Sequence, residues 1–238
     1  LGVKPRGYTA CLQEAVLDFG AEESFALGAE RLKRHHGVIL STSTVRKITL
    51  EHAHQIKSRQ QQETTTGALP AKGADATITE MDGTMLPIAQ CSGDGDRRRT
   101  RDCCWKEFHL CAARVKESKQ THYGVSSGDV ARAGYTWAWT VAQAGWALNT
   151  HLHVVCDGAQ WIHQQCQQNL GPQASFLLDF YHVCDYLAAA QPAAGTHPRW
   201  LKVQKNRLLE GHPERVLRAL EPFKEPDSYP DEEAPVRA

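Results

Sequence analysis

The sequence predicts an α/β fold preceded by a small all-helical module. Within residues 151–183, a short apolar run ends at Asp157-Gly158, a helical stripe follows, and a second apolar run ends at Asp179. A strand–helix–strand unit this short implies a right-handed crossover between two parallel strands. The first 62 residues, in contrast, show only helical periodicity.

The composition indicates a folded chain without a strong overall charge. Its 238 residues, 41% of them hydrophobic, suffice for one sizeable core and an appended module. The 27 basic residues balance the 27 acidic ones, which excludes a globally basic nucleic-acid binder but not a locally basic face. No run of about 18 apolar residues and no signal-peptide pattern occurs, so we expect a cytoplasmic protein without membrane contact. The eight cysteines contain no Cys-x-x-Cys pair and are interpreted as reduced thiols.

Residues 1–62 are predicted to form three amphipathic helices. The first is expected to stop at Gly20, the second to be capped by Ser24, and the third to be capped by Ser41 or Thr42. Their apolar positions are Leu12, Ala15, Val16 and Phe19, then Phe25, Ala29 and Leu32, then Val45, Ile48, His52 and Ile56.

This layout is typical of a helix-turn-helix module, in which the amino-terminal end of the third helix enters the major groove of DNA. The residues expected to contact DNA are Thr42, Ser43, Thr44, Arg46 and Lys47. Residues 1–62 contain nine Lys or Arg and six Asp or Glu, an excess that suits phosphate contacts. The alternative is a structural three-helix cap with solvated charges. Residues 63–75 are predicted to be a linker.

Residues 76–190 are predicted to form the main α/β unit. A strand over residues 76–88 has Asp82 in its middle, in an apolar setting where a buried carboxylate would need a partner or a metal ion. Two more strands are predicted around Leu110 and Val125, after an Arg-rich loop. A helix that Asp129 caps follows; its expected buried stripe is Trp137, Val141, Ala144 and Leu148.

The predicted order of elements is that of a ribonuclease H-like mixed sheet, in which an antiparallel meander is joined to parallel strands. Strands one and four are neighbours in that arrangement. Asp82 on the first strand and Asp157 at the end of the fourth are therefore expected to face each other. The loop arginines Arg97, Arg98, Arg99 and Arg101 are either solvated or hold a DNA backbone.

At the level of motifs, the chain resembles the DDE transposases of bacterial insertion sequences, in the Kra-type branch related to Mutator-like elements. The resemblance extends from about Tyr8 to Ala190. The motifs are G-V-I-L-S-T-S-T-V-R, M-D-G-T-M-L-P-I, K-E-F-H-L-C-A, V-C-D-G-A-Q-W-I and L-D-F-Y-H-V, in this order. The resemblance implies that Asp82 and Asp157 are the first two acids of a catalytic triad that binds Mg²⁺ or Mn²⁺.

The third acid of the family, a Glu beyond a helical insertion, has no counterpart in a matching context. Residues 191–238 contain two predicted helices, Arg199–Leu209 and Pro213–Leu220, and an acidic Pro-rich tail, which together are interpreted as the beginning of that insertion. Candidates by residue type alone are Glu210, Glu214, Glu221 and Glu225. Asp179 and His182 lie where relatives often have a Cys-x-x-His pattern, so they are either accessory site residues or a strand-end acid and a helix-start histidine.

The expected function is therefore cleavage and strand transfer of DNA at insertion-sequence ends by two-metal phosphoryl transfer, by a protein that forms a homo-oligomer when full length. One alternative is a DNA-binding regulator fragment without catalysis. Another is a ribonuclease H-like nuclease unconnected with transposition. Cys156 could in principle act as a thiol nucleophile, but its apolar strand favours a core residue.

We predict that the 238-residue chain binds DNA weakly and does not cut it. Two aspartates can recruit a divalent ion, whereas without a third carboxylate the second ion is poorly fixed. The measurement is incubation with Mg²⁺ or Mn²⁺ and supercoiled plasmid bearing element ends. Nicking that disappears in Asp157→Ala would contradict this expectation and would place the third acid within this chain.

Overall fold

The structure, a computed structural model, divides into two compact units, residues 1–67 and 68–238. It describes residues 7–63, 68–91, 101–193, 197, 199–226, 228 and 236. The predicted arginine cluster Arg97, Arg98 and Arg99 lies outside the described residues. None of the helices in the described part of the chain combines the length and the apolar character that a membrane span requires.

The first unit contains three helices, α1 (Ala10–Glu22), α2 (Phe25–His36) and α3 (Thr42–Glu63). Ser24 and Ser41 accept backbone hydrogen bonds that start α2 and α3. Four predicted apolar residues form the buried centre, namely Val16, Leu32, Val45 and Ile48.

Two expectations about this unit are wrong in detail. Gly20 does not end α1 but lies inside it, and an added Cβ would clash with Thr49 on α3, so close helix packing requires this glycine. Ile56 is 66% exposed rather than buried. Its helix α3, with 22 residues, is far longer than α1 with 13 or α2 with 12.

The second unit is built on a five-stranded mixed sheet with the order β3-β2-β1-β4-β5. Its strands are β1 (Ala76–Cys91), β2 (Arg101–Val115), β3 (His122–Ser127), β4 (His151–Cys156) and β5 (Ala174–Leu178). The pairs β1–β2 and β2–β3 are antiparallel, whereas β1–β4 and β4–β5 are parallel. The predicted adjacency of the first and fourth strands is thus present.

Five helices accompany the sheet in the described residues. They are α4 (Val130–Gln143), α5 (Gln160–Asn169), α6 (Phe180–Ala193), α7 (Arg199–Leu209) and α8 (Pro213–Leu220), with short 3-10 turns at Gly171–Gln173 and Glu221–Phe223. Trp137 and Val141 on α4 are fully buried with Leu152 and Val154 of β4. Leu148, however, is 64% exposed, because α4 ends at Gln143 and the chain turns at Gly145, where φ is 84°.

Residues 68–75, predicted as part of a linker, are hydrogen-bonded to the connection between α4 and β4. The Ala74 N–H donates to the Gly145 carbonyl at 2.9 Å, and the Thr150 hydroxyl donates to the Ala74 carbonyl at 2.6 Å. Because the second unit holds them by these hydrogen bonds, residues 68–75 belong to that unit and are not a free linker.

The indole of Trp137 connects α4 to the sheet. Its Nε1–H donates to the Thr79 hydroxyl at 2.7 Å, and that hydroxyl donates to the Ala112 carbonyl on β2 at 2.7 Å.

We predict that Trp137→Phe lowers the free energy of unfolding by about 2 kcal/mol, because it leaves a cavity and a buried oxygen without its donor. Urea denaturation checks this value, and Trp105→Phe, at a 63% exposed position, is the matched control. A change in the control as large as that in Trp137→Phe would contradict the assignment.

Candidate active site

The register of two parallel strands brings Asp82 and Asp157 to one level of the sheet. β1 and β4 pair with Ala76 opposite His151 and with Glu80 opposite Val155. Asp82 and Asp157 each follow two residues after this last pair, Asp82 within β1 and Asp157 directly after the end of β4. Both residues line a cleft of about 550 Å³ that lies at the carboxyl ends of β4 and β5 and beside the middle of β1.

The cleft is strongly acidic. Its carboxyl and imidazole side chains are those of Glu80, Asp82, Asp157, Asp179, His182 and Asp185. Five carboxyl groups and one imidazole therefore share the cleft, and no Lys or Arg is among the described residues that line it. Like charges at this density repel one another and also repel a phosphate group unless cations are bound between them.

The turn after β4 directs Asp157 toward the cleft. The carboxylate Oδ1 accepts a hydrogen bond from the Ala159 N–H at 2.9 Å, which fixes the side chain and leaves the second oxygen available. Gly158 has φ of 90°, and an added Cβ would lie 2.7 Å from Leu178. A glycine at position 158 is therefore required by both backbone conformation and space.

The neighbouring glycine on β1 lies close to α5. A Cβ at Gly83 would lie 3.4 Å from Trp161 and Glu107, so both side chains are in van der Waals reach of this position. Trp161 lies edge-on to the buried ring of His109, with 5.0 Å between ring centroids. Because Trp161 follows Asp157 closely in sequence, this contact also restrains the turn that presents Asp157.

Asp179 and His182 both line the cleft, as accessory site residues would. The Asp179 Oδ1, however, accepts the backbone N–H groups of Tyr181 at 2.6 Å and His182 at 2.9 Å, which makes it the cap of α6. The His182 ring is half-buried and contacts Tyr186, with 5.0 Å between centroids. Asp179 thus has a clear structural role, and His182 is the cleft's one imidazole among described residues.

Two lining carboxylates, Glu80 and Asp185, were not singled out from sequence. Periodicity could have indicated Glu80, which is two residues before Asp82 on the same face of β1. Asp185, three residues after His182, reaches the cleft only through the placement of α6. Asp82 and Asp185 are exposed, and their carboxylates have no hydrogen bond or ion pair within the described residues. The candidate third acids Glu210, Glu214, Glu221 and Glu225 do not line the cleft.

The cleft contains no activated thiol. Cys156 is 4% exposed, and burial raises the pKa of its thiol to about 12. A backbone hydrogen bond with Met81 lowers this pKa, while the charge of Asp157 raises it further. Cys156 is therefore a neutral thiol at physiological pH, and a nucleophilic role is excluded. All seven cysteines whose side chains are described are free.

The described residues do not by themselves form a complete metal centre. No set of three or more His, Cys, Asp or Glu side chains in the described part of the chain is arranged to hold a metal ion. Asp82 and Asp157 are oxygen donors of the type that Mg²⁺ and Mn²⁺ prefer, so they fit two ligands of such an ion.

In the first unit, the predicted DNA-binding residues occupy the start of α3. Thr42, Ser43, Arg46 and Lys47 are exposed, whereas Thr44 is half-buried and its hydroxyl is 2.8 Å from the Ser41 hydroxyl. The Lys47 ammonium lies 3.8 Å from Glu51, and both side chains are more than half exposed. An ion pair this exposed is weak, so it leaves Lys47 available to a phosphate.

Comparison with known proteins adds no further assignment to this geometry. No protein-family model matches the chain, and no curated protein is significantly similar to it.

Proposed function

We propose that the chain is a DNA transposase of the DDE type, or part of one, built on a ribonuclease H-like unit. The observation that carries this proposal is the convergence of Asp82 and Asp157 in one cleft from adjacent parallel strands. The strand order, with three antiparallel strands followed by two parallel ones, is consistent with that architecture. The motifs that resemble transposases include both aspartates.

The proposed chemistry is phosphoryl transfer with divalent ions, for which Asp82 and Asp157 would be protein ligands. Bound Mg²⁺ or Mn²⁺ would activate a water or 3′-hydroxyl and stabilise the leaving oxygen. Asp157 is oriented for this role by the Ala159 N–H, and Asp82 is exposed and unpaired among described residues. The acidic lining supports a cation requirement, because a phosphodiester would otherwise be repelled.

We propose that α2 and α3 act as a helix-turn-helix that recognises DNA. The Ser41 cap begins α3 where Thr42, Ser43, Arg46 and Lys47 are exposed together. Hydroxyl groups and cationic side chains at a helix amino terminus suit phosphate oxygens and base edges. This surface would hold DNA, while the acidic cleft would perform the chemistry.

We predict that Asp82→Asn and Asp157→Asn each weaken Mn²⁺ binding at least about tenfold, because each removes a charged ligand. Electron paramagnetic resonance of free Mn²⁺ in titrations of the full chain measures the affinity. Asp18→Asn, which changes an exposed carboxylate on α1 in the same way, is the matched control. A wild-type chain that binds no Mn²⁺, or variants with unchanged affinity, would refute the metal site and favour the regulator alternative.

A second prediction concerns DNA binding by α3. Arg46→Ala and Lys47→Ala are each expected to weaken duplex binding and to reduce its salt slope by about one, because each removes one phosphate contact. Fluorescence anisotropy at several salt concentrations measures both quantities. Lys119→Ala removes one exposed positive charge from the second unit and serves as the control. An unchanged slope in the α3 variants would show that DNA is bound elsewhere or not at all.

A further inference from the structure

Two histidines lie side by side on β4. Residues alternate along this strand, with Leu152 and Val154 buried and with His151 and His153 on the opposite face. The two rings are in edge-to-face contact, with 4.5 Å between their centroids and an interplanar angle of 78°. His151 is exposed and His153 is half-buried, so an ion in solvent can reach the pair.

The separation of the two rings suits a shared metal ion. Zinc binds imidazole nitrogen at about 2.0–2.1 Å, and a tetrahedral angle between two such bonds places the ring centroids about 5 Å apart. The observed 4.5 Å is close enough for small rotations of the side chains to reach this distance. Water can fill the other coordination positions, which agrees with the absence of a larger set of ligands in the described part of the chain.

A hydroxyl group on the next strand orients one of the rings. Ser175 of β5 is paired with His153, and its Oγ lies 3.3 Å from Nε2 of His151. When the Nε2–H donates to this oxygen, Nδ1 carries the free lone pair that a metal ion needs. Histidines that bind metals typically donate their second ring N–H in this way.

The charges around the pair do not oppose a cation. The row of paired residues across the sheet at this level consists of Arg114, Ile78, His153 and Ser175. Arg114, the one cation in this row, is two strands from His153, a distance of about 10 Å. Its guanidinium donates to the carbonyls of Lys116 and Ser118 at 3.3 and 3.4 Å, so it is held at the turn after β2.

The histidine pair is separate from the acidic cleft. Neither histidine lines the cleft, and Asp157 follows His153 by four residues, about 13 Å of extended chain. The donor atoms also differ, because carboxylate oxygens suit Mg²⁺ and Mn²⁺ whereas imidazole suits Zn²⁺, Ni²⁺ and Cu²⁺. The two places on the second unit would therefore select different ions.

The chain also contains the same spacing of histidines on a helix, at His52 and His54 of α3. Residues two apart on a helix do not face each other. The Nε2 of His52 lies 2.8 Å from Oε1 of Gln13, and His54 is exposed. The helical pair is therefore a comparison with equal sequence spacing but without the geometry of the strand.

We propose that His151 and His153 form a two-imidazole site for a divalent transition-metal ion of the zinc and nickel class, with Ser175 as a positioning residue. Two imidazoles on one rigid strand bind an ion more tightly than one, because the second meets the ion at a high effective concentration. The proposal does not depend on the proposed enzymatic function, which uses other residues and other ions.

Isothermal titration calorimetry of the full chain with Ni²⁺, in an excess of Mg²⁺, tests the proposal. His151→Ala and His153→Ala are each expected to weaken Ni²⁺ binding at least about tenfold, because each leaves a single imidazole. Ser175→Ala is expected to weaken it severalfold, and Ser175→Thr, which keeps the hydroxyl, is expected to restore it. His54→Ala is the matched control and is expected to leave Ni²⁺ binding unchanged.

Circular dichroism establishes that each variant is folded. A wild-type chain that binds no Ni²⁺, or an affinity that both strand variants leave intact, would overturn the proposal. A loss in His54→Ala equal to that in the strand variants would do so as well, because binding would then not depend on strand geometry. Asp157→Asn separates the two metal proposals: unchanged Ni²⁺ affinity supports a distinct site, whereas a matching loss would place the ion in the cleft and overturn the histidine site.

Discussion

The parallel pairing of β1 with β4 is the constraint on which the candidate site depends. It pairs Glu80 with Val155, and Asp82 and Asp157, which each follow two residues later, line the same cleft although they are far apart in sequence. Burial fixes this register. Leu152 and Val154 of β4 are fully buried, and a slip of one residue would turn both toward the opposite face. The same slip would remove Asp157 from the cleft, so core packing and site geometry cannot vary independently.

Side chains alternate between the two faces of β1, so the residues that pack in the core and the residues that line the cleft lie on opposite faces. Thr77, Thr79 and Met81 face the buried side, where Trp137 is hydrogen-bonded to Thr79, while Glu80 and Asp82 face the cleft. The sequence suggested that Asp82 would be a costly buried charge, but the residue is exposed. The reason is that only one face of this strand is covered by the core helices. Asp82 therefore keeps its hydration without help from a partner, and its position in an apolar strand has little energetic cost.

Local periodicity predicted most elements, and it failed where distant residues decide the outcome. The bounds of α7 and α8 agree with the sequence, as does the apolar stripe of α1. Leu148 and Ile56 fit the helical period of their segments, yet both are exposed. Leu148 lies beyond the end of α4 at Gln143, and Ile56 lies in the second half of the long helix α3. The start of β2 was interpreted as a loop because its composition is rich in Arg, Asp and Cys; pairing with the apolar outer half of β1 imposes strand structure on it. Likewise, Asp185 enters the cleft through the placement of α6, which no local pattern encodes.

The charge distribution explains why the proposed functions occupy different units. A cleft with five carboxyl groups cannot bind a phosphodiester directly, since each added negative charge raises the repulsion. In the proposed enzyme, affinity for DNA would then come from a basic surface, such as the start of α3 with Arg46 and Lys47. Bound divalent cations would make the electrostatic potential of the cleft positive. DNA would therefore be attracted there only when the ions needed for the chemistry are bound. In the proposed enzyme, the acidic lining would thus couple substrate entry to metal binding, and DNA held by the first unit would not enter a metal-free cleft.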